Sequence, residues 1–393
     1  MTVERRPEAV LFITGWWPTE ADPHNGVFIR EHALALATAT PVVVVHLSVV
    51  KRKWGLLKFK WQESSDQGLQ VIHGEIQTPV RRGGWHDRIV RSAYRKAILK
   101  YSDRYRFRVM HIHNRTPITE NASFVGEEMG LPVVVTEHSS FYHLWIHHLG
   151  AEVGSQTRER IINWFARPSI RAVLPVSRDL GRVLQDDFDV AKEKIHVVPN
   201  VASPIFKPAA SEHVPPFRIL LAARWSAPKD PFLFIDALHL LPVGVRNSLH
   251  VDWVGDGDQI EQARAACAAF ITDGIMHFRG RLPKTELAPL LAKAHLLVHP
   301  TKAENLPCII IESLCCGTPV LSTTVNGIPE LVDRLNGVLT PPEDPQAFAD
   351  ALRWIMDNYR GFDRPAIARA ADARYSAAAV ARQFLDVYEQ ITS

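Results

Sequence analysis

Short apolar runs alternate with amphipathic helical stretches along this chain, and they do so in two blocks separated by a proline-rich gap. An apolar run too short for a helix and bounded by turn residues reads as a strand, and strand, helix, strand order implies a parallel sheet with right-handed crossovers. The first block predicts strands at 10–14, 42–47, 109–113, 133–136, 172–174 and 195–198, with a helix over 27–37. The second predicts strands at 217–222, 250–254, 276–278, 296–299, 319–322 and 337–339, then helices over 345–358, 364–373 and 377–391. Between the blocks, Pro204, Pro208, Pro215 and Pro216 mark a linker. The expected fold is α/β with two Rossmann-like domains, residues 1–200 and 217–374, joined by 201–216, with a terminal helix of about 375–393 packing back on the first. Two such sheets facing each other would place their strand C-termini around a common cleft, where open α/β sheets bind ligands.

Composition narrows the class. With 393 residues, 46% hydrophobic and 22% charged, the chain can fill two ordinary cores, which sets aside fibrous and disordered classes. Its four cysteines, Cys267, Cys308, Cys315 and Cys316, form no CxxC pair, which argues against a zinc site or a disulfide framework and for a reducing cytoplasm. No signal-peptide core and no membrane-length apolar run is present, so a soluble or peripheral protein is expected. The net charge of +3 hides a basic stretch: residues 51–110 carry fifteen Lys/Arg against five Asp/Glu, interleaved with Trp54, Phe59, Trp61 and Trp85. Cations mixed with aromatic anchors suit an anionic membrane surface, and nucleic acid is not expected because no nucleic-acid motif accompanies the charge.

The densest chemical signal runs from Glu304 to Glu312, two carboxylates separated by seven residues, followed by Ser313-Leu314-Cys315-Cys316-Gly317. Apolar Ile309, Ile310 and Ile311 feed Leu314 in the pattern of a buried helix starting near Pro307 or Cys308, which Gly317 would close. Backbone N–H groups at such an N-terminus attract anions, whereas nearby carboxylates repel anions and hold hydroxyls. A sugar nucleotide has both parts. Arg224 and Lys229, just past a predicted strand, would offer a planar donor fork and a compact ammonium to a pyrophosphate.

Three motifs in this order resemble the GT-B glycosyltransferases, in particular the large retaining family 4. They are Ala222-Ala223-Arg224-Trp225-Ser226-Ala227-Pro228-Lys229-Asp230, Val254-Gly255-Asp256-Gly257, and the two-glutamate segment from Glu304 to Glu312. The resemblance implies that Arg224 and Lys229 bind the donor diphosphate, that Glu312 accepts hydrogen bonds from the ribose and that Glu304 sits by the donor sugar. It also implies that His138, in Thr136-Glu137-His138, contacts that sugar, that Arg279 borders the nucleotide base, and that Gly26 opens the helix behind a glycine loop. Glu304, His138, Arg224 and Lys229 form the expected catalytic set. Where the family usually has Phe-Gly after the first glutamate, Asn305-Leu306-Pro307 stands, so the N–H groups of Leu306, Cys308 and Ile309 are the ones that could face phosphate or sugar.

No metal and no cofactor are expected, the nucleotide sugar being a substrate. His138 lies near His143, His147 and His148, but a metal reading of that group is set aside, and the segment 141–149 is taken to shape an acceptor pocket or touch lipid. Ser177 is explained as a helix N-cap, and Asn200 stands at the hinge. The implied activity is retaining, metal-independent transfer of a sugar to a glycan or lipid-linked acceptor, in cell-surface polysaccharide synthesis at the inner membrane face. A sugar-nucleotide epimerase and a non-catalytic sugar-nucleotide-binding protein are the alternatives. A nicotinamide oxidoreductase is weaker still, because Gly255-Asp256-Gly257 has Ile260 where a third glycine belongs.

Overall fold

The computed structural model describes residues 6–51, 57–79, 83–143, 151–209 and 215–393, and the chain divides into two compact units, Met1–Pro199 with Ala377–Ser393, and Asn200–Ser376. The first unit is built on a seven-stranded sheet of order β3-β4-β2-β1-β5-β6-β7. Its strands are β1 (Glu8–Thr14), β2 (Val42–Lys51), β3 (Lys58–Asp66), β4 (Leu69–Thr78), β5 (Arg106–His113), β6 (Val133–Glu137) and β7 (Ile170–Pro175). All pairs are parallel except β3 with β4. Central strands buried on both faces read as unbroken apolar runs, and β1 is buried from Ala9 to Thr14. The last helix, Ala377–Thr392, belongs to this unit: Phe384 and Tyr388 are fully buried, and the Tyr388 hydroxyl lies 2.6 Å from His111 Nδ1.

Two expectations for this sheet need correction. The strand foreseen at 195–198, which follows a short 3₁₀ turn at Lys192–Lys194, is reduced to a single bridge between Val173 and Ile195, with the His196 and Val198 N–H groups donating to the Val173 and Pro175 carbonyls at 3.0 and 3.1 Å. Conversely, the basic aromatic stretch contains an unforeseen hairpin, β3 and β4, which starts at Lys58; residues 52–56 lie outside the described residues. Its β3 strand shows no in/out alternation, since both faces are largely exposed, and alternation is what periodicity detects. Four of the fifteen cations meet nearby carboxylates in these pairs: Lys60 with Glu75, Lys100 with Glu63, Arg95 with Glu128 and Arg106 with Glu8.

The second unit carries an all-parallel six-stranded sheet of order β10-β9-β8-β11-β12-β13. Its strands are β8 (Phe217–Ala222), β9 (Leu249–Val254), β10 (Met276–Gly280), β11 (Leu296–His299), β12 (Val320–Thr323) and β13 (Gly337–Thr340). The helix predicted after the first glutamate forms as Cys308–Cys315, and Gly317 closes it with φ +72°, the left-handed conformation that favours glycine. All four cysteines are free. Among the described residues no helix is long and apolar enough to cross a membrane.

Candidate active site

In an open α/β sheet the ligand crevice lies outside the strand C-termini where the strand order reverses. In the second sheet that point falls between β8 and β11, and the loops leaving these two strands carry Arg224, Lys229 and Glu304. The loops are tied together: the Thr301 hydroxyl and the Lys302 N–H both donate to the Pro228 carbonyl, each at 2.8 Å. Lys229 Nζ reaches across to form an ion pair with Glu304 Oε1. His299, the buried last residue of β11, places Nε2 3.6 Å from the same oxygen. Burial pushes the Glu304 carboxyl up, but the Lys229 charge and the His299 ring outweigh it and bring it down to about 2. A carboxylate held that low stays ionised and is a poor proton acceptor.

Glu312 sits one turn inside the Cys308–Cys315 helix, buried at 6% exposure, with Lys284 Nζ 3.4 Å from its Oε1. The segment leading into this helix is anchored from outside by Asn200, whose amide donates to the Leu306 carbonyl at 2.7 Å. Leu306 is buried and Cys308 and Ile309 are partly exposed, and no acceptor among the described residues takes the N–H of Leu306 or Ile309. Helix-terminal donors without intrahelical acceptors are suited to an anion. Lys284 and His299 were not identified from sequence: Lys284 is far in sequence from Glu312, and no motif marks His299, although it stands only five residues before Glu304; Asn200, read as a hinge residue, turns out to hold this segment.

Arg224 is exposed, and its position is set by the glycines of the second motif. A Cβ at Gly255 would stand 1.9 Å from the Ala223 carbonyl oxygen, and one at Gly257 would stand 1.9 Å from that of Trp225. Both glycines also have positive φ, +110° and +145°. The Val254–Gly257 turn is therefore the bed on which the Arg224 loop lies, with the Trp225 N–H donating to the Asp256 carbonyl at 2.6 Å and the Trp225 indole to the Val254 carbonyl at 2.9 Å. Arg279, expected at the base, has its Nε 2.7 Å from Asp252 Oδ1, so its guanidinium is already engaged by a strand carboxylate.

In the first sheet the strand order reverses between β1 and β5. Gly26, after β1, has φ +67°, and a Cβ there would meet the Trp16 carbonyl oxygen at 2.4 Å, so its close approach is to the chain's own backbone. His138 follows β6 and its N–H donates to Asn114 Oδ1 at 2.9 Å, while its Nε2 lies 3.3 Å from His113 Nδ1. His32 joins them, and nitrogens of His32, His113 and His138 lie within 4.8 Å of one another. This group could hold a metal ion by residue type: His32 Nε2 donates to the Pro199 carbonyl at 3.0 Å, which leaves its buried Nδ1 as a bare acceptor with no hydrogen-bond partner among the described residues. Burial lowers His32 to about 4 and takes His113 well below its usual value, leaving both rings neutral. His143 is drawn away from His138 toward Asp179, at 2.6 Å, and His147 and His148 lie outside the described residues. Ser177 caps its helix by accepting from the Leu180 N–H at 3.0 Å.

Two family models divide the chain: Glycosyltransferase Family 4 matches residues 27–204 and Glycosyl transferases group 1 matches residues 216–358. The chain belongs to the GT-B glycosyltransferases. Among curated relatives, a D-inositol 3-phosphate glycosyltransferase of Xylanimonas cellulosilytica is 32% identical over 44% of this chain and 42% of its own length, so the match spans less than half of that relative. An alpha-D-kanosaminyltransferase of Streptomyces kanamyceticus is 24% identical over 67% of this chain and 72% of its own. The solved structure of Anabaena HepE in complex with UDP covers 98% of this GT-B chain and 100% of its own, at a TM-score of 0.71 and 16% identity, a likeness of fold.

Proposed function

We propose that the protein transfers a sugar from a nucleoside diphosphate sugar to a hydroxyl of a glycan or lipid-linked acceptor, with retention at the anomeric carbon and without a metal ion. The observation that carries this reading is the Lys229–Glu304 ion pair at the switch point between β8 and β11, beside the N-terminus of the Cys308–Cys315 helix. Lys229 and Arg224 neutralise the diphosphate as the C1–O bond to phosphate breaks, the task a divalent cation would otherwise perform. Glu304, ionised and held by Lys229, orients sugar hydroxyls, and Glu312 takes the ribose hydroxyls. Because Glu304 is so weak a base, the acceptor proton passes to the departing phosphate oxygen while the new C1–O bond forms on the same face. His138 contacts the donor sugar through a ring nitrogen.

Cell-surface polysaccharide synthesis at the inner membrane face is the proposed setting. Exposed Trp85, Trp61 and Phe59, set among the cations of residues 51–110, support contact with an anionic bilayer, which pelleting with phosphatidylglycerol vesicles tests. The activity is tested by incubating the chain with UDP-, GDP- and ADP-sugars and a mixed glycan acceptor pool in EDTA. Glycosylated product with its anomeric configuration retained supports the reading. Donor epimerised without acceptor, or nucleotide bound with no turnover, contradicts it.

A further inference from the structure

His111 and His113 of β5, His138 just after β6 and His32 of the helix Val27–Ala37 pack ring against ring. His111 shows what a buried histidine kept for hydrogen bonding looks like. Its Nδ1 lies 2.6 Å from the Tyr388 hydroxyl and its Nε2 lies 2.7 Å from the Thr136 hydroxyl, so both nitrogens are satisfied. His32 is just as buried, yet its Nδ1 has no hydrogen-bond partner among the described residues. Buried polar atoms are almost always paired, and an orphan among them points to a further partner such as an ion. With Nε2 taken by the Pro199 carbonyl at 3.0 Å, Nδ1 is the nitrogen that His32 brings to the cluster. A carbonyl that holds one ring N–H in this way fixes the tautomer and orients the other nitrogen toward a metal.

The spacing fits an ion as well. A tetrahedral zinc with bonds of about 2.0–2.1 Å sets its ligand nitrogens about 3.3 Å apart, and His113 Nδ1 stands 3.3 Å from His138 Nε2. One nitrogen from each of His32, His113 and His138 lies within 4.8 Å of the others. Their ring centroids form a nearly equilateral triangle with sides of 5.1, 5.6 and 5.6 Å, as rings around one centre do. Phe12 stacks on His113, Phe28 packs on His138 and Phe384 meets His32 edge-on, an apolar wall that holds the rings in place. The set contains imidazoles and no carboxylate. That chemistry disfavours calcium and magnesium, which take oxygen ligands, and suits zinc.

We propose that His32, His113 and His138 bind one structural zinc ion, with water in the fourth position, tying the helix Val27–Ala37 to the ends of β5 and β6. This departs from the metal-free expectation, which weighed only histidines close to His138 in sequence, whereas the fold brings His32 and His113 to it. The ion takes no step in sugar transfer, and its test needs no turnover. The full chain, made without an affinity tag, is loaded with zinc chloride, desalted and analysed for zinc by mass spectrometry, and cobalt(II) is titrated into the metal-free chain. One zinc per chain and the strong visible absorption of tetrahedral cobalt are expected. His32→Gln and His113→Gln should each weaken cobalt binding at least a hundredfold, while His111→Gln, equally buried, should keep it. Circular dichroism checks folding, and where a variant does not fold, the wild-type zinc content and cobalt spectrum decide. No zinc retained by wild type, only the pale spectrum of octahedral cobalt, or equal binding by His32→Gln and His113→Gln, the mark of surface histidines, overturns the proposal. So does an equal loss in a folded His111→Gln. A zinc-free chain that transfers sugar in EDTA overturns the site and leaves the transfer reading standing; a zinc-holding chain with no transfer does the reverse.

Discussion

Glu304 and Glu137 are both withdrawn from water, and their surroundings push them in opposite directions. Glu137, fully buried beside His138, is raised to about 7 by burial, against which the Arg115 N–H at 2.8 Å and the Tyr142 hydroxyl at 3.0 Å only partly compensate. Glu304 is brought below its usual 4.5 to about 2. The signs follow from linkage. The Glu304 contribution to stability is fully present above about pH 4.5 and is lost as pH falls toward 2, so Glu304→Gln should remove that part of the acid loss. The Glu137 contribution is present below about pH 4.5 and lost as pH rises through 7, so Glu137→Gln should flatten stability across that window. Unfolding midpoints in denaturant from pH 2 to 8 read both, and identical profiles for wild type and variants would contradict these environments. At this scale the two glutamates and Arg224 with Lys229 were legible because their spacing is local. The Lys229–Glu304 and Lys284–Glu312 pairings were not, since only the fold joins residues so far apart in sequence.

At the scale of elements, the β9 turn explains why a glycine pair is needed without any nucleotide contact. Gly255→Ala combines a φ of +110° with a Cβ 1.9 Å from the Ala223 backbone, and should cost about 3 kcal/mol or more. Because this turn supports the Arg224 loop, nucleotide stabilisation should fall as well, and a Gly255→Ala protein that melts like wild type would contradict that role. The terminal helix is the second case. Removing Ala377–Ser393 strips Phe384 and Tyr388 from the first unit, each worth roughly 1.5–3 kcal/mol of burial, so the truncated chain should lose the first unit's cooperative unfolding transition in calorimetry. An unchanged two-unit melting profile would contradict it. Most strands and the helices around Glu312 could be placed from apolar runs within a few residues. The β3–β4 hairpin could not, because an edge strand exposed on both faces carries no period, and the 195–198 run was placed as a full strand because an apolar run does not tell a single bridge to β7 from a ladder.

At the scale of the whole molecule, one sequence pattern used twice yields two sheets, the first parallel but for its β3 edge and the second all parallel, each with its order reversing at a central point. The proline-rich gap made the division into two visible, and family models match on both sides of it. Arg224, Lys229, Glu304 and Glu312 sit together in the second unit, on loops and a helix at the carboxyl ends of β8 and β11. The central claim is that Lys229 and Glu304 act together on a nucleoside diphosphate sugar. Single-turnover release of nucleoside diphosphate, with glycan acceptor present, tests it in wild type, Lys229→Ala, Glu304→Gln and the double variant. The account predicts that each single change lowers the rate at least a hundredfold, about 2.7 kcal/mol, with little further loss in the double variant. Near-wild-type rates in the single variants, or fully additive losses in the double, would contradict it.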